Sequence, residues 1–167
     1  MVTSYIFLAG ASRGVGREIA NCLTAQNNQV KALLRTEEKL QELEAMGITV
    51  ALGDALNIDD VEKAILAEEK IDIVISTIGG VPKDSERADY LGNKNLIDAA
   101  VKAGVKKFIL ISSIGSGNSA NAIPPQALET LKPVLIEKEK AEKHLIESGL
   151  TYTVIRPGGL KSEPSTG

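Results

Sequence analysis

One cysteine, Cys22, and one histidine, His144, are all that 167 residues contain of the side chains that most often hold zinc or pair as nucleophile and base. One of each supports neither a zinc site nor a Cys–His nucleophile, so no metal is expected, and no disulfide can brace the fold. Cys22 reads as a small filler of the core. A positive excess is also missing: 19 Lys and Arg face 22 Asp and Glu, for a net charge of -3, with both signs scattered along the chain. No basic face is available to neutralise a phosphate backbone, which argues against nucleic acid as a partner. Long apolar runs are absent too. The stretch 71–78 carries an acid and hydroxyls and falls far short of the roughly 20 residues a membrane-crossing helix needs. No basic segment followed by a cleavable apolar stretch opens the chain. These absences lead to the expectation of a soluble, cytoplasmic protein with no membrane span.

What is present is enough for one packed domain. With 43% hydrophobic and 25% charged residues, a chain of this length buries about two-thirds of its unfolded surface. Six short β-branched runs, 5–9, 29–34, 48–52, 71–76, 107–112 and 151–155, read as strands. Several are apolar at consecutive positions, as in Ile73-Val74-Ile75 and Phe108-Ile109-Leu110-Ile111, a pattern required of strands covered on both faces. Helix-length amphipathic stretches separate them. Thr36 is placed to cap a helix over 37–46 that Gly47 stops, and Asn57 or Asp59 opens another running to residue 67. Leu40 and Leu43 share the inner face of the first, and 116–126 reads as a loop rich in Gly, Asn, Ser and Pro. The fold class is therefore α/β: a Rossmann-type, doubly wound parallel sheet of about six strands in the order 3-2-1-4-5-6.

Directly after the first strand stands Gly10-Ala11-Ser12-Arg13-Gly14-Val15-Gly16, and a helix begins there. Glycines let the backbone turn sharply and approach a pyrophosphate with no Cβ in the way. The helix N-terminus adds unpaired N–H groups and the positive end of its dipole. Gly10, Ser12, Arg13, Gly14, Val15 and Gly16 are thus the candidate phosphate cradle, spaced Gly-x3-Gly-x-Gly rather than Gly-x-Gly-x2-Gly.

Together with six further segments, this turn resembles the short-chain dehydrogenase/reductase superfamily, in its atypical, NmrA-like or NAD(P)H-binding branch, which includes biliverdin IXβ/flavin reductases. The segments are Leu33-Leu34-Arg35, Gly53-Asp54, Ser76-Thr77-Ile78-Gly79-Gly80, Asn95-Leu96-Ile97-Asp98-Ala99-Ala100, Ser112-Ser113 and Tyr152-Thr153-Val154-Ile155-Arg156-Pro157-Gly158. The resemblance covers nearly the whole chain. The glycine spacing is that of the superfamily's conventional members rather than of this branch. The resemblance implies an NAD(P)-binding domain over 1–160 and a polar tail over 161–167, like the cofactor-binding portion of a longer protein.

An NAD site in this fold places an acid at the end of strand two, on the adenosine ribose. Arg35 stands there instead and suits a 2′-phosphate, so NADP(H) is the expected cofactor, with NAD(H) as the alternative. Arg13 is placed to reach the same phosphate, with Thr36 and Lys39 as weaker candidates. Asp54, with Ala55 beside it, resembles the residue that recognises adenine, although an acid after a strand also caps turns. Thr77, Gly79, Gly80, Ser112, Ser113 and Arg156, Pro157 and Gly158 lie at the strand ends where a nicotinamide belongs.

Conventional members use Ser, Tyr and Lys, with the tyrosine four residues before the lysine. Aligned on Ala141-Glu142, the lysine is Lys138, and Val134 occupies the tyrosine position. The usual acid is missing. Val134, Lys138, Ala141 and Leu145 share one helix face, on which Lys138 either snorkels to water or meets the ribose of the nicotinamide half. Ser113, and secondarily Ser112, is the candidate donor to a substrate carbonyl or to the nicotinamide amide, although strand-end hydroxyls also satisfy nearby backbone. Neither serine has a base partner, and His144 reads as a helix-side residue rather than a catalytic base. Two functions follow. One is a reductase passing hydride from NADPH to a flavin, quinone, bilin or similar small acceptor, with Ser113 and Lys138 as catalytic candidates. The other is an NADP(H)-sensing or protein-interaction module without turnover. No apolar stripe is distinct enough to assign an oligomeric state.

Overall fold

The structure, a computed structural model, describes residues 4–67, 69–79 and 88–164. Six strands, β1 (Tyr5–Ala9), β2 (Gln29–Leu34), β3 (Thr49–Leu52), β4 (Ile73–Ser76), β5 (Lys107–Ile111) and β6 (Tyr152–Ile155), form one sheet. Every pairing is parallel, and the order is β3-β2-β1-β4-β5-β6. Among the described residues five α-helices connect them: α1 (Gly14–Ala25), α2 (Leu40–Ala45), α3 (Ile58–Ile65), α4 (Leu91–Ala103) and α5 (Pro125–Glu147).

The consecutive apolar residues of the strands divide between two cores because side chains alternate across a sheet. Phe7, Ala9, Leu33, Val74, Phe108 and Leu110 face one side, where Val61 and Ile65 of α3, Leu96 and Ile97 of α4 and Leu145 of α5 pack on them. Ile6, Leu8, Val30, Ala32, Leu34 and Ile75 face the other, closed by Ala20 of α1 and Leu43 of α2. Each fully buried Leu or Phe contributes about 1.5–3 kcal/mol, which is why neither face can be left open.

Three local expectations are corrected. Residues 36–46 are not one helix: a 3-10 turn, Glu37–Lys39, precedes the six-residue α2, and Thr36 makes no capping bond through its side chain. Gly47 does stop it, at φ +82°, with the Ile48 N–H donating back to Leu43 at 3.1 Å. The 116–126 stretch holds a 3-10 segment, Gly117–Ala122, and α5 already begins at Pro125, where a missing N–H costs nothing. Cys22 is exposed. It lies two residues, or about 200°, round the helix from the buried Ala20, so it points away from the core. Asn57, rather than Asp59, caps α3: its side chain accepts from the Asp59 N–H at 3.0 Å.

Candidate functional site

The ladder hydrogen bonds run one residue past several strand ends, and those residues form the rim of a cavity. Gly53 N–H donates to Leu34 at 2.8 Å, Thr77 N–H to Ala9 at 2.9 Å, and Ser112 N–H to Ile155 at 2.7 Å. The cavity measures about 490 Å³, within the range of small-molecule sites, and lies at the carboxyl ends of the strands, where this sheet order reverses direction.

Its floor is the β1–α1 turn. Gly10 has φ +99° and Gly14 φ +56°, left-handed conformations in which an L side chain is strained. Gly16 packs so closely under the turn that a Cβ would lie 2.6 Å from both the Gly10 carbonyl carbon and Thr77 Oγ1. Thr77 holds this contact by donating from Oγ1 to Ala9 O at 3.2 Å and Gly10 O at 3.3 Å. Arg13 precedes α1 in an extended conformation with no side-chain cap, and the first turn carries no acid. Among the described residues the first hydrogen bond back to this end comes from the Arg17 N–H to Arg13 O at 3.3 Å. The earlier N–H groups are therefore available to an anion. Ser12, Arg13, Gly14, Val15 and Gly16 all line the cavity.

Charge reinforces the point. Although the chain is net negative, the described lining carries three cations, Arg13, Arg35 and Lys138, against one acid, Asp54. Arg35, at the end of β2, is exposed, and among the described residues neither it nor Arg13 has a side-chain hydrogen bond or ion pair. Lys39 is committed elsewhere, to Glu42 at 2.7 Å. Asp54 uses Oδ1 to accept the Leu56 N–H at 2.9 Å, the turn-capping role, while still lining the cavity beside Ala55. Asn95 of α4 fixes that rim by donating to Ala55 O at 2.9 Å.

The opposite end is built from β4, β5 and α5. Lys138 is a half-buried lining residue whose Nζ lies 3.1 Å from Oδ1 of Asp89, which is 0% exposed. Gly79, at φ +152°, also approaches this pair: a Cβ there would sit 3.1 Å from Lys138 Nζ. Asp89 is held from behind, since Ser76 Oγ donates to Asn93 Oδ1 at 2.5 Å and Asn93 Nδ2 donates to Asp89 O at 2.8 Å. Ser112 lines the cavity, and its hydroxyl donates to Glu142 of α5, a residue that is 2% exposed. Arg156 clasps the same carboxylate with Nε at 3.1 Å and Nη2 at 2.5 Å, and Nη1 donates to Asn118 at 2.5 Å. Burial pushes the Glu142 carboxyl up, but the hydrogen bonds from Arg156 and Ser112 outweigh it and hold the group below the usual carboxylate range.

Of the residues singled out from the sequence, Gly10, Ser12, Arg13, Gly14, Val15, Gly16, Arg35, Asp54, Ala55, Thr77, Gly79, Ser112, Lys138 and Pro157 line this one cavity. Gly80 lies outside the described residues. Ser113 and Gly158 are not among the described lining residues. Ser113 Oγ donates to the neighbouring Ile114 O at 3.0 Å, so Ser112 is the serine that faces the cavity. Ser112 has a hydrogen-bond acceptor in Glu142, a carboxylate that Arg156 also holds. Arg156 turns into the Glu142 clasp rather than the cavity, and His144 pairs with Asp98 at 2.6 Å on the side of α4.

Asp89 and Glu142 were missed. Glu142 had a readable signal, because it stands four residues after Lys138 and three before Leu145, on the same buried stripe. Asp89 had none, since its burial arises from the contact of the β4 end with α4 and α5.

A family profile described as NAD(P)H-binding matches residues 10–167. The curated protein named uncharacterized sugar epimerase YhfK, from Bacillus subtilis, is 36% identical over 97% of this chain and 75% of its own length. For another curated relative the share of its own length falls to 27%. The solved structure of ChuY, an anaerobilin reductase from Escherichia coli O157:H7, is 33% identical with a TM-score of 0.87, over 98% of this chain and 77% of that one. The NADPH-dependent quinone oxidoreductase QOR2 of Escherichia coli, solved with NADPH, is 27% identical with a TM-score of 0.70, over 90% of this chain and 48% of that one.

Proposed function

The chain belongs to the NAD(P)H-binding family, and on that premise we propose that it is an NADPH-dependent reductase delivering hydride to a flavin, quinone, linear tetrapyrrole or similar small acceptor. The observation that carries this reading is the charge layout of one cavity. A glycine turn with free helix N–H groups forms its floor, two arginines unpaired among the described residues stand at one end, and a lysine held by a buried acid stands at the other. A dinucleotide with a 2′-phosphate has anions to match the turn and the arginines, and ribose hydroxyls to match the lysine end. Bilins and quinones within the acceptor class draw support from two similar proteins, one named an anaerobilin reductase and the other a quinone oxidoreductase.

In this reading the N–H groups of Gly14, Val15 and Gly16 hold the diphosphate, and the absence of Cβ atoms at Gly10 and Gly16 lets the backbone reach it. Arg35 and Arg13 bind the 2′-phosphate, and Asp54 meets the adenine. Lys138, anchored by Asp89, binds the ribose of the nicotinamide half and is the cation nearest the reacting ring. The bound cofactor supplies the hydride, and the acceptor takes its balancing proton from water because Val134 replaces the usual tyrosine. Acceptors that need little acid catalysis suit such a site.

Arg35→Ala tests the cofactor side. A charge-assisted contact contributes about 1.5–3 kcal/mol, so the unsubstituted protein should bind NADPH roughly 10- to 100-fold more tightly than NADH, and the variant should lose most of that ratio in a fluorescence titration. Equal dissociation constants in the unsubstituted protein would contradict the preference. Turnover is tested by NADPH oxidation with a panel of flavins, quinones and bilins. Tight binding with no oxidation above background on any of them would support the second reading, an NADP(H)-sensing module, which the valine at 134 also fits.

A further inference from the structure

Building on the cofactor reading above, we propose that Ser112 meets the nicotinamide ring as a hydrogen-bond acceptor, taking an N–H from its carboxamide, and that Glu142 is the positioning residue that fixes this direction. A serine hydroxyl has one proton to give and two lone pairs to receive with. Here the proton is spent on Glu142. Glu142 has none to offer in return, because the Arg156 guanidinium engages both of its oxygens, at 3.1 Å on Oε1 and 2.5 Å on Oε2, and a carboxylate so paired is ionised and accepts only. The clasp is fitted closely. Gly117 passes over it at φ +54°, where a Cβ would stand 2.8 Å from Arg156 Nη2 and 3.4 Å from Glu142 Oε2. With its proton turned inward, Ser112 offers only lone pairs to the cavity it lines.

The donor that reaches it follows from the fold. Ser112 ends β5, three strands from the end of β2 where Arg35 stands, about 14 Å away at ordinary strand spacing. In the cofactor reading this would be the nicotinamide end of the dinucleotide, and the carboxamide is the only hydrogen-bond donor on that ring. The arrangement also removes Ser112 as a donor to a substrate carbonyl, leaving Lys138 as the one described lining cation at this end of the cavity to meet charge developing on the acceptor.

The test compares NADP+ with its 3-acetylpyridine analogue, in which a methyl group replaces the carboxamide NH2, by titration calorimetry on the full chain. NADP+ should bind the unsubstituted protein about tenfold more tightly. Ser112→Ala should bring the ratio near one. Glu142→Gln should do the same, because a glutamine amide can donate to Ser112 and free the hydroxyl proton to face the cavity. Melting curves establish that both variants are folded. If Glu142→Gln is not folded, Ser112→Ala decides alone. A ratio near one in the unsubstituted protein, or a tenfold ratio that survives Ser112→Ala, would overturn the proposal while leaving the cofactor reading intact. Failure of the unsubstituted protein to bind either nucleotide would instead remove the cofactor reading on which it rests.

Discussion

Replacing Gly16 with alanine is expected to weaken nicotinamide nucleotide binding by at least about 100-fold, more than 2.7 kcal/mol, and to lower the melting temperature as well. The added Cβ would lie 2.6 Å from the Gly10 carbonyl carbon and from Thr77 Oγ1, and neither can yield. The first is backbone at a turn with φ +99°, and the second is pinned by its bonds to Ala9 and Gly10. The start of α1 must therefore move away from β1, carrying with it the N–H groups that face the cavity. Overpacking of this kind costs about 1–3 kcal/mol, or roughly 2–12 °C for a domain of this size. Gly149 supplies the control. It also has a positive φ, +80°, but nothing stands within 4 Å of its Cβ position. Gly149→Ala should lower stability modestly and leave affinity unchanged. Thermal melts and nucleotide titrations on both variants check the contrast, and equal affinity losses would count against the geometry of the turn.

The second large effect concerns acid. Glu142 is held below its ordinary range when folded, so the stability it contributes is fully present above its unfolded value of 4.5 and is lost as the pH falls through the lower folded value. Glu142→Gln should remove that part of the acid dependence. At neutral pH the variant also leaves Arg156 facing an uncharged partner. Breaking a buried pair costs about 3–5 kcal/mol, and because the Arg156 side chain is 28% exposed the expected loss is smaller, about 1–3 kcal/mol. Urea midpoints measured between about pH 3 and pH 7 should therefore be far apart at neutral pH and converge in acid. Parallel curves would show that the clasp does not carry this stability.

The strands were legible because covering a sheet on both faces leaves few polar positions to spare, and residues 5–9 and 29–34 coincide with β1 and β2. The phosphate turn was legible for a similar reason, since Gly10 and Gly16 answer a steric demand that no other residue meets. Where a residue's role depends on which way a side chain turns at a strand end, the sequence was silent. Ser112 and Ser113 are adjacent and chemically identical, and only Ser112 lines the cavity. Thr36 is the residue type of a cap and stands at the capping position, yet it precedes a 3-10 turn, Glu37–Lys39, and its side chain makes no capping bond. Asp89 became buried through contacts between segments far apart in the chain, which local pattern cannot report.

The most direct measurement is a titration of the unsubstituted protein with NADPH, followed by the melting temperature. Ligand at about 100 times its dissociation constant adds about 2.7 kcal/mol, so a rise of roughly 5–11 °C is expected, with a smaller rise at the same concentration of NADH. A folded protein whose melting temperature stays unchanged at saturating NADPH would contradict the assignment of this cavity to a nicotinamide dinucleotide.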